Sequence, residues 1–310
     1  MPSSLSLALS SGGARGAYQS GALLFLSEAG LEFSTVAGVS VGAINGAMYS
    51  QGNGSPEAVK QIIAVWHSLA KKDMVKVNPG SFSKIASCLF SGISDIPMAL
   101  AALKDIHLLD PRPFEDVINE YIDFKRLLKS PIKFYVGIMT AFHPLFDVVL
   151  PHLKDVSFIS NHDTDEDTFR KVILASAAMP FFFPARNIGG RKWSDPWLTC
   201  PLPDKILFDQ GYRRILSLFL SDDILENPLD FPATVLFQIR PSQVIDSGLS
   251  STFDFSEMTI TKLIELGYQD AKKTWLESRA WFEKILELKA RGQRNQELVN
   301  KLPVRKHGRK

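Results

Sequence analysis

The stretch Thr35-Val36-Ala37-Gly38-Val39-Ser40-Val41-Gly42-Ala43-Ile44-Asn45-Gly46-Ala47 decides the fold. Thr35 to Val39 reads as a short buried strand, and the small residues Gly42, Ala43, Gly46 and Ala47 read as one face of a closely packed helix. Ser40 stands at the junction, inside Gly38-Val39-Ser40-Val41-Gly42, a G-x-S-x-G pattern. Glycines at both flanks let the chain bend sharply, which puts the serine side chain on an exposed strand-to-helix corner.

Upstream, the same grammar occurs once more. Leu5 to Leu9 is a short apolar run ending in Ser10-Ser11-Gly12-Gly13, and a helical stripe of Tyr18, Ala22, Phe25, Leu26 and Ala29 follows, with Gly30 as its stop. Strand, glycine turn, helix, then strand, sharp turn, helix is the opening of an α/β fold with a parallel sheet. Downstream, residues 75–111 break this rhythm. Gly80, Gly92 and Pro97 interrupt clusters such as Leu89-Phe90 and Met98 to Leu103. Short helices are expected there, as an insertion over one face of the sheet or a lid over a substrate.

The α/β pattern then resumes. Phe114, Val117, Ile118 and Tyr121 predict a helix, and Phe134 to Ile138, Ile215 to Leu220 and Thr234 to Ile239 predict strands. Ile260, Leu263, Ile264, Tyr268, Ala271 and Trp275 form a helical stripe suited to a core, and a further charged helix is expected over Arg279 to Ala290. With no repeat and no long low-complexity linker, residues 1–300 read as one α/β domain. The tail 301–310 carries Lys301, Arg305, Lys306, Arg309 and Lys310. It is either a solvated end or a weak attractor of anionic lipid.

Composition narrows the partners. The 310 residues are 45% hydrophobic and 22% charged, with a net charge of +2, too balanced for an electrostatic nucleic-acid binder. Cys88 and Cys200 can build neither a disulfide framework nor a metal site, so no metal or cofactor is expected. Met1-Pro2-Ser3-Ser4-Leu5 lacks the features of a secretory leader, and no run reaches the ~18 apolar residues of a membrane span. The expectation is a cytoplasmic protein or one in peripheral contact with a membrane.

A nucleophilic serine needs a base and a place for negative charge. Ser11-Gly12-Gly13-Ala14-Arg15-Gly16 can present unobstructed N–H groups at a helix start, which suits a developing oxyanion. The rival reading is a dinucleotide phosphate loop, but Ser11 leaves no complete G-x-G-x-x-G and no acidic residue closes the second strand. Of the six histidines, only His307 comes late in the chain, inside the basic tail, where rigid geometry is hard to hold. That leaves a carboxylate acting directly on the serine as the live alternative.

Ser11 to Gly16, Gly38 to Gly42 and Ala175-Ser176-Ala177-Ala178-Met179-Pro180 together resemble the patatin-like phospholipase family. The resemblance spans residues 5 to about 220. It implies a three-layer sandwich with a mostly parallel central sheet flanked by helices, and a Ser-Asp dyad. Carried onto this chain, it makes Ser40 the nucleophile and places Gly12, Gly13, Ala14 and Arg15 in the oxyanion loop, with Arg15 as its anchor. The family's aspartate sits in D-G-G or D-G-A after a short hairpin. Here that place belongs to Asp195, in Ser194-Asp195-Pro196-Trp197, with Asp204 and Asp209 next in line. Pro196 replaces the motif's glycine, so the turn after Asp195 must differ. Met179-Pro180-Phe181-Phe182-Phe183 reads either as an acyl pocket, with Phe181, Phe182 and Phe183 touching substrate, or as a buried strand edge. The implied activity is cleavage of lipid esters, of phospholipase A or lysophospholipase type. Acyl transfer to another acceptor through the same acyl-enzyme is one alternative, and a non-catalytic lipid- or protein-binding descendant is another.

Overall fold

The computed structural model describes residues 5–80, 107–141, 155–221, 224, 227–245 and 249–301; beyond residue 278, side chains are described only at Glu287. Among the described residues, eight strands form one sheet: β1 (Leu5–Leu9), β2 (Phe33–Gly38), β3 (Lys133–Thr140), β4 (Val156–Ser160), β5 (Arg186–Ile188), β6 (Arg191–Ser194), β7 (Arg214–Leu218) and β8 (Val235–Ile239). Their order is β5-β6-β3-β2-β1-β7-β8, with β4 pairing to β3 off that path. The five strands β3, β2, β1, β7 and β8 run parallel, whereas β4, β5 and β6 add antiparallel partners at one side.

Side-chain alternation sorts the sheet into two unequal faces. Leu7, Leu9, Val36, Phe134, Val136, Leu216 and Leu218 enter the larger core. It is shared with α1 (Gly16–Glu28), α2 (Val41–Gln51), α3 (Pro56–Leu69), α4 (Arg112–Tyr121), α5 (Phe124–Leu128), α6 (Glu166–Ser176) and α9 (Glu257–Lys301), the last preceded by the short α8 (Leu249–Thr252). The intervening Ala8, Ala37, Tyr135 and Ile215 face the other way, where Leu207 of α7 (Asp204–Asp209) packs on them. The result is the expected three-layer α/β sandwich around a mostly parallel sheet.

The expected stripe from Ile260 to Trp275 does enter the core, with Ile260 and Ala271 fully buried. However, it does not end before a separate charged helix: α9 runs unbroken from Glu257 to Lys301, since no glycine or proline intervenes between Trp275 and Ala290. The helix lies so close to α1 that a Cβ at Gly21 would fall 1.8 Å from the Ile264 carbonyl oxygen. Tyr18 Oη donates to Asp270 Oδ2 at 3.1 Å across the same contact.

Much of the expected insertion at 75–111 (residues 81–106), together with Cys88 and the tail 302–310, lies outside the described residues. Its described ends meet in an antiparallel bridge between Val77 and Leu109. Among the described residues, no helix is long and apolar enough to cross a membrane.

Candidate active site

Ser40 sits where β2 turns into α2, with φ 56° and ψ −125°. A non-glycine residue in such a conformation costs on the order of 1–3 kcal/mol and persists only where its surroundings enforce it. Both flanking glycines are enforced by close backbone approach. A Cβ at Gly38 would lie 2.4 Å from the Gly42 carbonyl oxygen, and one at Gly42 would lie 2.3 Å from that of Leu9. The turn closes through Gly42 N–H to Val39 O at 2.9 Å and Ala43 N–H to Ser40 O at 2.9 Å. The Ser40 N–H itself donates to the side-chain Oγ of Ser176, at the end of α6, at 2.9 Å.

Asp195 follows β6 directly and is 1% exposed. Its N–H donates to Ala178 O at 3.0 Å, which pins the aspartate to the Ala175–Pro180 stretch. Burial pushes the Asp195 carboxyl up to about 7, against the opposing pull of hydrogen bonds from the Ser40 side chain and the Trp197 N–H. The Trp197 N–H bond to Oδ1 measures 2.9 Å. This bond replaces the glycine turn of the family motif: the carboxylate caps its own turn, and Pro196 O accepts from Thr199 N–H (2.9 Å) and Cys200 N–H (2.8 Å). With this turn, the Asp195 carboxyl still lines the pocket that holds Ser40. Asp204 is buried at the start of α7 and Asp209 pairs with Lys205, and neither lies on the wall of the pocket that holds Ser40.

The glycine loop passes beside Ser40. Ser11 N–H is occupied by Pro201 O at 2.8 Å. The amides of Gly12, Gly13 and Ala14 have no acceptor among the described residues. Gly13 holds φ +58°, and a Cβ there would stand 2.3 Å from Thr252 O, so the loop admits only glycine. Arg15 folds back to donate from Nε to Gly12 O at 3.1 Å, and its guanidinium reaches Leu220 O and Thr252 Oγ1. Gly12, Gly13 and Arg15 face the pocket, whereas the Ala14 side chain is buried in the core.

The pocket has a volume of about 350 Å³ and a largely apolar wall. Met48, Val65, Leu69, Met74 and Phe255 line it, and no pattern in the sequence had singled them out. The signal was present in α3: Val59, Ile62, Val65, Trp66 and Leu69 recur at helical spacing behind the Ser55-Pro56 cap. Of the three phenylalanines expected to touch substrate, the wall includes Phe183 alone. Phe182 lies one layer back, against Phe253 with ring centroids 5.0 Å apart. Phe181 adopts φ 70° and is 42% exposed, outside the pocket. An aromatic run in a turn has no periodicity from which to assign its faces.

The described histidines stand elsewhere. His67 Nδ1 pairs with Glu257 and His162 Nε2 meets Ser130 O, each at 2.8 Å, and neither they nor His107 lies on the pocket wall. Among the described residues there is no cluster of His, Cys, Asp and Glu able to hold a metal ion.

A strained serine corner at the carboxyl end of a parallel strand, beside a glycine loop and a buried carboxyl, places the chain among α/β proteins whose site lies at the strand ends. The sequence profile of patatin-like phospholipases matches residues 7–203, and the chain belongs to that family. None of the curated proteins matches. Among solved structures, VipD from Legionella pneumophila is 14% identical, with 88% of this chain and 67% of that one covered at a TM-score of 0.47. Human GIVD cytosolic phospholipase A2 is 11% identical, with 92% and 58% covered at 0.48. The type III effector ExoU is 17% identical, with 88% and 53% covered at 0.40. The chain thus spans between about half and two thirds of the length of these structures. Membership of the family supports lipid hydrolase activity.

Proposed function

We propose that this chain cleaves carboxylic esters of lipids, as a phospholipase A or lysophospholipase, through an acyl-enzyme on Ser40 with Asp195 as the base. One observation carries the reading: a buried carboxyl, with its proton affinity raised to about 7, shares the wall of one pocket with a serine held in a strained corner. An ordinary aspartate is too weak a base for a hydroxyl, and burial corrects that mismatch.

The chemistry runs in two halves. Asp195 takes the Ser40 proton as Oγ attacks the ester carbonyl, and the amides of Gly12 and Gly13 receive the negative oxygen. The intermediate collapses, the C–O bond to the alcohol breaks, and Asp195 returns its proton to the departing alkoxide. Water then gives a proton to Asp195 and attacks the acyl carbon. The acid leaves, and Ser40 recovers the proton. Arg15 keeps the loop closed rather than meeting the oxygen itself, since its Nε is committed to Gly12 O. The apolar wall takes the acyl chain, with Phe183 on it, which supports a lipid rather than a polar ester.

A proline after Asp195 would suit a non-catalytic descendant, but Asp195 and Ser40 line the same pocket, which favours the catalytic reading. The test is turnover of a phospholipid and its lysophospholipid by wild type, Ser40→Ala and Asp195→Asn, with all three shown to be folded. Activity lost in both variants supports the reading; activity retained in Asp195→Asn transfers the base role elsewhere.

A further inference from the structure

The wall of the active-site pocket follows α2 away from the nucleophile. Ser40, Val41, Ile44 and Met48 all stand on it, a row at helical spacing that is apolar after Ser40. At a rise of about 1.5 Å per residue, Met48 stands about 12 Å beyond Ser40 along the helix. Val65, Trp66 and Leu69 of α3 face the same cavity, and Trp66 is stacked on Phe255 with ring centroids 6.2 Å apart.

A second cavity, of about 260 Å³, shares two wall residues with the first, Met48 and Val65. Its remaining wall includes Gln51 of α2, Gln61, Ala64 and Ser68 of α3, and Tyr121 of α4. Along α2 the order is Ser40, Met48, Gln51, so the second cavity continues the first in the direction away from the nucleophile. Gln61 and Ala64 are exposed, so it meets solvent. Met48 and Val65 are themselves buried in the main core. Two apolar side chains thus separate the pocket of the nucleophile from a space that would prolong it. One of them is a methionine, an unbranched side chain suited to closing an irregular gap.

We propose that Met48, with Val65 beside it, is the stop of the acyl channel and sets the chain length this protein accepts. With C–C bonds of about 1.5 Å in a staggered chain, each carbon advances about 1.25 Å, so the length before Met48 holds roughly ten carbons. A longer chain meets the partition and leaves its last methylenes in water. The inference rests on the reading of the pocket as a lipid site, and its test reads binding rather than turnover.

Saturated alkanoates from hexanoate to tetradecanoate, kept below their micellar concentrations, are titrated into the protein by calorimetry. The head group is constant and nothing is turned over, so the chain is the one variable. Each methylene that finds room predicts about three- to four-fold tighter binding, and in wild type the gain should stop at roughly ten carbons. Met48→Ala should let affinity rise on to tetradecanoate, at least ten-fold above wild type at that length. Val65→Ala removes less volume, guards against a Met48→Ala that fails to fold, and should move the break the same way. Of the two cavities, exposed Ala64 lines only the second. Ala64→Trp should therefore leave wild-type binding unchanged and cancel the gain in the Met48→Ala background. Leu69 lines only the first, so Leu69→Ala should leave the break where it is. An unmoved break in the folded alanine variants at Met48 and Val65, a gain that survives Ala64→Trp, affinity that rises without a break in wild type, or no alkanoate binding would overturn the inference. Should the break move as expected while wild type cleaves no lipid ester, the stop stands and the hydrolase reading falls.

Discussion

Ser176 Oγ accepts the main-chain N–H of Ser40 at 2.9 Å, joining the end of α6 to the strained corner across 136 residues of sequence. Ser176 is fully buried, so the bond ties the half-buried corner to the core. Ser176→Ala would leave the Ser40 N–H without an acceptor. We expect a loss of about 1–3 kcal/mol in unfolding free energy. Turnover should fall more than KM rises, because the corner and not the pocket is loosened. Denaturant unfolding and steady-state kinetics on one preparation check both.

The raised proton affinity of Asp195 fixes the sign of two pH effects. As a base it must be ionised, so kcat/KM should climb with pH through about 7 and then level. An apparent pKa near 4 would show that burial does not tune this carboxyl.

Stability runs the other way. The folded-state value lies above the ordinary carboxyl value of 3.8, so the folded protein increasingly suffers from burying the charge as pH rises from about 4 to 7. Asp195→Asn removes that charge. The variant should gain stability over wild type across this window, reaching on the order of a few kcal/mol above pH 7, while losing ester turnover. Thermal unfolding of both proteins at pH 4.5 and 8 reads the difference.

The opening of the chain was legible because its chemistry and its geometry demand the same residues. Gly38 and Gly42 satisfy the G-x-S-x-G pattern and are also the positions where backbone leaves no room for a Cβ. The alternation of Leu7 and Leu9 with Ala8 likewise shows a strand buried on both faces. Phe181 was not legible: its left-handed backbone turns it outward, and nothing in Phe181-Phe182-Phe183 announces which ring leaves the core. Nor could sequence supply Ser176 as a partner of Ser40, since that bond depends on where α6 ends against the corner. The Asp195 turn was legible only in part, because Pro196 hid the way the carboxylate caps its own chain through Trp197.

Two glycines separate fold from site. At Gly42, a methyl group would press on the backbone of β1, 2.3 Å from Leu9 O and 2.7 Å from Ser10 O. Gly42→Ala should therefore yield little folded protein, since neither neighbour can move without breaking the sheet. Gly13→Ala strains a loop at φ +58° against Thr252 O. It should fold with a lowered Tm and lose turnover through the displaced amides. Circular dichroism alongside an ester assay distinguishes the two, and a fully active Gly13→Ala would exclude this loop from the reaction.

Pro196→Gly restores the residue of the family motif. The Trp197 N–H bond to Asp195 Oδ1 does not involve Pro196's missing N–H, so the carboxyl should stay in place. The expected cost is about 0.5–1 kcal/mol of stability, from a freer unfolded chain. kcat/KM should change by no more than a few-fold, and a gain of a hundred-fold would mean that the proline disables the site.

The claim on which the rest depends is that Ser40 is a working nucleophile. A fluorophosphonate probe followed by peptide mapping measures it most directly. The account requires one phosphonyl adduct on Ser40, absent from folded Ser40→Ala and strongly slowed in Asp195→Asn. Folded wild-type protein that takes up no probe, or takes it up at another residue, would contradict it.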